Sequence, residues 1–554
     1  MAFDLRINFL GCPSQPDVAW SEKNIQRLID LGFNTLQLNV AWGARPGDEP
    51  LNLEDVIDQS GLPESQWQSL PLRSSQDLQD VARRRADLRE RIALCRKMGV
   101  RSIFHYGAPY NMHARFGDAP PNCLMDPQVR AMCVAHIRAF AEQFPGVDDL
   151  LVYTYDQDAW LCSEFGECAV CRGVPLHERV SAFVNLLART WQAINPDGRL
   201  WWEPWELSAG QVLRSVERLD PACVGLSLHS NVAEVIVTMP VDRWLRNTVR
   251  LAHQRGLPVV VEHFLGSPTE EVEPFQHIAW PLVTLRALRQ IDGLGVEGIK
   301  EYYGAIPDRE DVNLRTTGLY LSEGDLDDDA ALMRLAEPYG DAAKDMVQYW
   351  RLLSEAMDLF PWYTSWFIRE VGKCDPCHGM ESAFIRGTQC HTPSWVSTRR
   401  AIFMKTDSLQ PDPWLLEDVQ LQCEMAAERL VQALALGELL LERAPVGLQD
   451  AVQACQSDVR AWRQRTLSYA YHLRETNLTM ILRDRMLAGE APPERVVSEL
   501  AEVLRTDSVN QGQTEPCQSA LELLLSDPQA FVDSTFCEGG EDGCSKGPFT
   551  LTSR

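Results

Sequence analysis

The chain has no run approaching the roughly 20 uninterrupted apolar residues that a membrane-spanning helix needs. Met1 to Gly11 also lacks the basic flank and apolar stretch of an export signal. These two absences lead to the expectation of a soluble, cytoplasmic protein with no membrane partner. Positive charge is short as well: 52 Lys and Arg stand against 78 Asp and Glu, for a formal net charge of −26. Such a surface repels phosphate backbones, so nucleic acid is not an expected partner. No strand-like run is followed by a G-x-G-x-x-G or G-x-x-x-x-G-K-[ST] loop, which counts against the open doubly wound sheet that binds nucleotides. H-E-x-x-H is missing too, and no internal repeat stands out.

What the chain does have is a regular alternation. Eight short β-rich runs recur: Leu5 to Leu10, Thr35 to Val40, Arg101 to His105, Leu150 to Tyr155, Leu200 to Trp202, Val224 to Leu228, Pro258 to Glu262 and Ile299 to Tyr303. Helical stretches separate them, such as Glu22 to Leu31, Leu78 to Met98 and Trp244 to Gln254. Strands alternating with helices imply a parallel sheet with right-handed crossovers. Eight units in about 300 residues suit a closed (β/α)8 TIM barrel. Beyond Leu319, apolar residues recur at three- and four-residue spacing over Leu332 to Leu359, Leu415 to Leu441, Gln449 to Leu487 and Pro493 to Leu504, which is helical. The expected fold is therefore α/β: a (β/α)8 barrel followed by an all-α C-terminal region. The expected boundaries are a catalytic barrel over 1–320, a helical domain over 321–520 and a loose tail over 521–554.

In such a barrel the C-terminal strand ends and the loops after them build the active site. Asp17 follows the first strand, and Asn39 and Trp42 end the second. His105 and His113 follow the third; Asp156, Asp158 and Trp160 follow the fourth. Glu203, Trp205 and Glu206 follow the fifth, and His229, Asn231 and Glu234 the sixth. Glu262 and His263 end the seventh, and Glu301, Tyr302 and Tyr303 the eighth. Acids and aromatics at one rim suit a sugar, whose C–H faces stack on rings and whose hydroxyls bond to carboxylates. Glycosidic cleavage needs one carboxylic acid for the leaving oxygen and a second group to attack, activate water or orient the substrate. Asp156 and Asp158 lie two apart, and a close pair raises one pKa as a general acid requires. Capping of the next helix is the rival use of these aspartates. Glu262 or Glu301 would face them as base or nucleophile, although Lys300 and Glu301 could equally form a structural ion pair. Glu206 could likewise belong to a helix's first turn. Arg115, Arg315 and His229 are further candidates for contacting a substrate carboxylate.

Sixteen cysteines without an export signal read mainly as reduced thiols, buried or metal-bound. Cys162, Cys168 and Cys171 have C-x5-C-x2-C spacing, directly after the Asp pair. They could hold a structural zinc ion if a fourth ligand arrived from elsewhere; otherwise they are free thiols. Cys374-Asp375-Pro376-Cys377-His378, with Cys390-His391, matches the spacing of covalent haem attachment, and structural zinc is its alternative.

The segment Leu150 to Val184 resembles part of the (β/α)8 glycoside hydrolases, especially the α-glucuronidase-like and β-N-acetylhexosaminidase-like groups. The likeness is carried by Tyr155-Asp156-Gln157-Asp158, the cysteine run and Gly173-Val174-Pro175. It implies Asp158 as the general acid and Asp156 as its orienting partner. The resulting expectation is a glycoside hydrolase that acts on a terminal acidic or N-acylated sugar and requires no cofactor. Trp42, Trp160, Trp205, Tyr302 and Tyr303 would be its stacking surfaces. Two rivals stand beside it: a metal-assisted lyase, isomerase or hydrolase barrel, and a non-catalytic carbohydrate-binding barrel. Assembly into a homo-oligomer is left open by the sequence.

Overall fold

The computed structural model describes residues 3–12, 15, 17–40, 49–50, 52–60, 62, 75–109, 123–154, 162, 164–165, 168–204, 207, 209–229, 241–269, 272, 275–307, 310–362, 413–512 and 515–536. It divides into two units, 1–268 with 284–331, and 269–283 with 332–554.

The first unit is a closed barrel of eight parallel strands in sequence order. The strands are β1 (Leu5–Asn8), β2 (Thr35–Gln37), β3 (Arg101–Gly107), β4 (Asp149–Tyr153), β5 (Leu200–Glu203), β6 (Val224–Leu228), β7 (Val259–His263) and β8 (Gly298–Glu301). Closure is made by β1 pairing with β8, with Leu5 opposite Gly298 and Ile7 opposite Lys300. Between the strands run α1 (Glu22–Asp30), α2 (Ser75–Met98), α3 (Pro127–Gln143), α4 (Leu176–Ile194), α5 (Ala209–Val216), α6 (Arg243–Gln254) and α7 (Pro281–Asp292), with α8 (Val312–Glu323) after β8. Local chemistry starts these helices. Asp126 accepts from the N–H of Gln128 ahead of Pro127 in α3, and Asp242 accepts from Leu245 N–H at the head of α6. Gly99, at φ +70°, turns the chain out of α2 and into β3, a conformation that a side chain would disfavour.

Residues along a strand alternate between the two faces of the barrel wall. One parity (Leu36, Phe104, Leu150, Val152, Trp202, Leu226, Val261, Ile299) faces the helices in one continuous apolar core. The other fills the barrel interior, where Ile7, Ile103, Leu151, Trp201 and Val260 form a separate cluster. Gly225 on β6 belongs to this inner layer; a Cβ there would lie 2.4 Å from the Trp201 ring. The ring therefore occupies the space that a side chain on β6 would have filled.

The second unit is helical. Its main helices are α9 (Asp328–Ala336, which begins in the first unit), α10 (Ala343–Leu359), α11 (Pro413–Arg443), α12 (Val446–Leu487), α13 (Glu494–Asn510), α14 (Glu515–Ser526) and α15 (Pro528–Phe536). The continuous helix expected over Leu332 to Leu359 is interrupted, because Pro338 and Gly340 (φ +56°) sit in a short 3-10 segment, Glu337–Ala342. Leu482, Leu500, Leu504, Leu524 and Phe531 knit α12 to α15 together. The stretch expected to be loose from 521 is helical over 521–526 and 528–536, within α14 and α15. Among the described residues, no helix is long and apolar enough to cross a membrane.

Candidate active site

The C-terminal end of the barrel changes character one step above its apolar layer. Two residues beyond Ile103, Trp201, Gly225, Val260 and Gly298 stand His105, Glu203, Ser227, Glu262 and Lys300. Period-two alternation points each of them inward. Contacts across the barrel bear this out. His105 on β3 and Glu203 on β5 are separated by β4, yet His105 Nε2 lies 2.9 Å from Glu203 Oε2. His229, just past β6, packs edge-on against Tyr302, just past β8, with ring centroids 5.8 Å apart. Lys300 Nζ donates to Glu262 Oε2 at 2.8 Å, and the Ser227 hydroxyl donates to Glu262 Oε1. Lys300 Nζ also lies 5.9 Å from the Tyr302 ring centroid.

The two inward glutamates have unlike charge states. Burial, and then the negative charge of Glu262, push Glu203 up to about 8, against the opposing pull of Lys300 and His229. Burial also opposes charge on Glu262. Lys300, through its charge and its hydrogen bond, together with Ser227 and His229, outweighs it and holds Glu262 below the ordinary carboxylate value. At neutral pH one carboxyl is a proton carrier and its neighbour an anion. This is the separation on which acid/base chemistry between two carboxylates depends.

Other expected site residues sit elsewhere. Glu301 and His263 have the outward parity of Ile299 and Val261. Glu301 accepts four backbone N–H groups: Leu265 (2.7 Å) and Gly266 (3.1 Å) on Oε2, Tyr303 (2.7 Å) and Gly304 (3.1 Å) on Oε1. Burial raises it to about 7, although those N–H groups pull the other way. A carboxylate so surrounded pins the connections after β7 and β8 and has no lone pair directed at a substrate. The ion pair considered for Lys300 and Glu301 does not form; alternation turns Lys300 inward, to Glu262. Burial drives His263 down to about 4, so its imidazole is neutral. Asn39 extends the β2–β3 ladder with its side chain, donating to Pro50 O and His105 O and accepting from His105 N–H. Asp17 is exposed, Arg315 pairs with Glu310, and Tyr303 packs against Phe264. Trp42, His113, Arg115, Asp156, Asp158, Trp160, Trp205, Glu206, Asn231 and Glu234 lie outside the described residues, as does the whole Cys374–His391 group.

The cysteine run acquires a fourth member. Cys123, ahead of α3, joins Cys162, Cys168 and Cys171, and the four Sγ atoms lie within 4.8 Å of one another. Among the described residues this is the one set of three or more His, Cys, Asp or Glu side chains placed to share an ion.

No protein-family model matches the sequence, and no curated protein matches it. Solved structures do. A GH138 enzyme targeting pectin rhamnogalacturonan II aligns with 93% of this chain at a TM-score of 0.58 and 12% identity. The likeness is one of fold. This chain spans 63% of that enzyme's length. Two weaker matches are an O-GlcNAc hydrolase of Thermobaculum terrenum (TM-score 0.43, 12% identity, 96% of this chain and 98% of that one) and a GH115 4-O-methyl-α-glucuronidase with specificity for decorated arabinogalactans (0.44, 11%, 94% and 62%). The GH138 match alone carries a likeness of fold.

Proposed function

We propose that the barrel is a glycoside hydrolase that cleaves a terminal acidic or N-acylated sugar by carboxylate acid/base catalysis. The observation that carries this reading is the buried pair at the ends of β5 and β7, Glu203 held protonated and Glu262 held ionised. Glu262 acts as base or nucleophile, oriented by Lys300 and Ser227. Asp158 delivers the proton to the leaving oxygen, with Asp156 orienting it. Protonated Glu203 donates a hydrogen bond to a sugar hydroxyl, with His229 and Tyr302 packed together at the same end of the barrel. Fold likeness to a GH138 enzyme is consistent with the reaction class. The type of sugar follows from the resemblance of Leu150 to Val184.

The test is a panel of chromogenic glycosides that includes uronic, sialic and N-acetyl sugars. The native chain should turn over one class, and Glu262→Gln and Asp158→Asn should each lower kcat by ~10²–10⁴-fold, the usual worth of a positioned acid or base. Sugar binding without turnover of any substrate would leave a carbohydrate-binding barrel instead. Activity that disappears on chelation while the four-cysteine cluster keeps its metal content would favour metal-assisted chemistry.

A further inference from the structure

We propose that Cys123, Cys162, Cys168 and Cys171 form a closed tetrathiolate zinc site that fastens the connection after β3 to the connection after β4. The sulfur geometry comes first. A zinc ion with Zn–S bonds of about 2.3 Å sets the edges of its tetrahedron at about 3.8 Å. Cys168 Sγ and Cys123 Sγ are 3.8 Å apart, and Cys123 Sγ and Cys171 Sγ are 3.1 Å apart. All four Sγ atoms lie within 4.8 Å of one another, a spread that brackets the tetrahedral edge.

The backbone around the sulfurs is shaped for the same purpose. Arg172 N–H bonds to Cys168 O at 3.0 Å and Val174 N–H to Cys171 O at 3.0 Å, which closes the turn. Glu164 clasps it from outside: its carbonyl accepts from Gly173 N–H, and its carboxylate accepts from Leu176 N–H at the start of α4. Arg179 is 1% exposed, and its guanidinium donates to Cys162 O (2.7 Å) and Val174 O (2.9 Å). On binding, the four thiols give up their protons to solvent and the ion keeps four thiolates, for a net charge of two minus. Arg179 supplies a fixed cation on the segments next to Cys162 and Cys171.

Soft sulfur donors select zinc over magnesium or calcium, and four protein ligands leave no open position for a substrate or water. The site is structural. Its place in the chain gives it a purpose, since Cys162 ends the stretch that begins after Thr154 and carries Asp156 and Asp158. A metal at Cys162 fixes one end of that stretch, while β4 fixes the other.

The full chain, purified without chelator from zinc-supplemented medium, should carry one zinc per polypeptide by elemental analysis. X-ray absorption should show four sulfur neighbours at about 2.3 Å. After exchange, cobalt should show the intense visible bands of tetrahedral thiolate coordination. Cys123→Ser and Cys168→Ser should each bring metal down to background while circular dichroism reports retained helix and strand. If a variant does not fold, mercurial titration of the native chain replaces it, with zinc released in step with thiol modification. Protein that carries no zinc, with these four cysteines modified as free thiols by mass spectrometry, would overturn the proposal. So would a Cys123–Cys171 disulfide found by mass spectrometry, or iron in place of zinc.

Discussion

The inner and outer faces of the barrel wall at β7 and β8 use the same residue types for opposite purposes. Inside, Glu262 is held by side chains, Lys300 and Ser227. One residue further along β8 and facing the other way, Glu301 is held by four backbone N–H groups. A carboxylate with side-chain partners has a charge state that its neighbours set and that a substrate can reset. A carboxylate enclosed by main chain is a fastening. Residue type does not separate the two; parity does.

The largest expected effect comes from breaking the inner arrangement. Lys300→Met leaves the buried Glu262 carboxylate without its cation, a change that costs about 3–5 kcal/mol when one partner of a buried pair is removed. Chemical denaturation should show a loss of that size, and surviving folded protein should have lost turnover at neutral pH. The outer arrangement should respond differently. Glu301→Gln keeps an acceptor but weakens the hold on its four N–H groups, so a stability loss of about 1–3 kcal/mol is expected. On the preferred glycoside its kcat should stay within a few-fold of the native value. A large kcat loss with unchanged stability would merge the two faces and undo the distinction.

The smallest effect is a slope. Glu203 titrates near 8 in the folded chain, against 4.5 as the ordinary value. Between those two pH values the unfolded chain has released this proton and the native chain still holds it, so stability falls as pH rises through the window and then levels off. Glu301, raised to about 7, adds in the same direction. Glu203→Gln should flatten the fall in melting temperature over this range without abolishing it. A slope unchanged by the substitution would mean that Glu203 is ionised beside Glu262.

The eight strands were legible in the sequence because a fully buried parallel strand has to be a short apolar β-rich run, and each run ends in a turn. Glu262 stood out for the same reason: it closes Val259-Val260-Val261. The sorting of Glu262 from Glu301 and His263 was also available, by counting in twos from Val260 and Gly298, but strand ends read as a rim conceal it. Lys300 was weighed only against its chain neighbour, whereas its partner stands on the adjoining strand. Cys123 carries no spacing signal, since it precedes Cys162 by more than a helix and a strand and only the barrel brings the two together. Pro338 and Gly340 stand within an otherwise periodic run, and their backbone demands outweigh its apolar spacing.

Trp201 lying over Gly225 has a consequence for traffic through the molecule. Immediately beneath the charged residues, hydrocarbon and an indole plug the bore, so the barrel is a cup and not a tube. Glu203 and Glu262 are themselves 3% and 1% exposed, so this layer closes off one of the directions from which water could reach them. Proton exchange at either carboxyl cannot run through the hydrocarbon below.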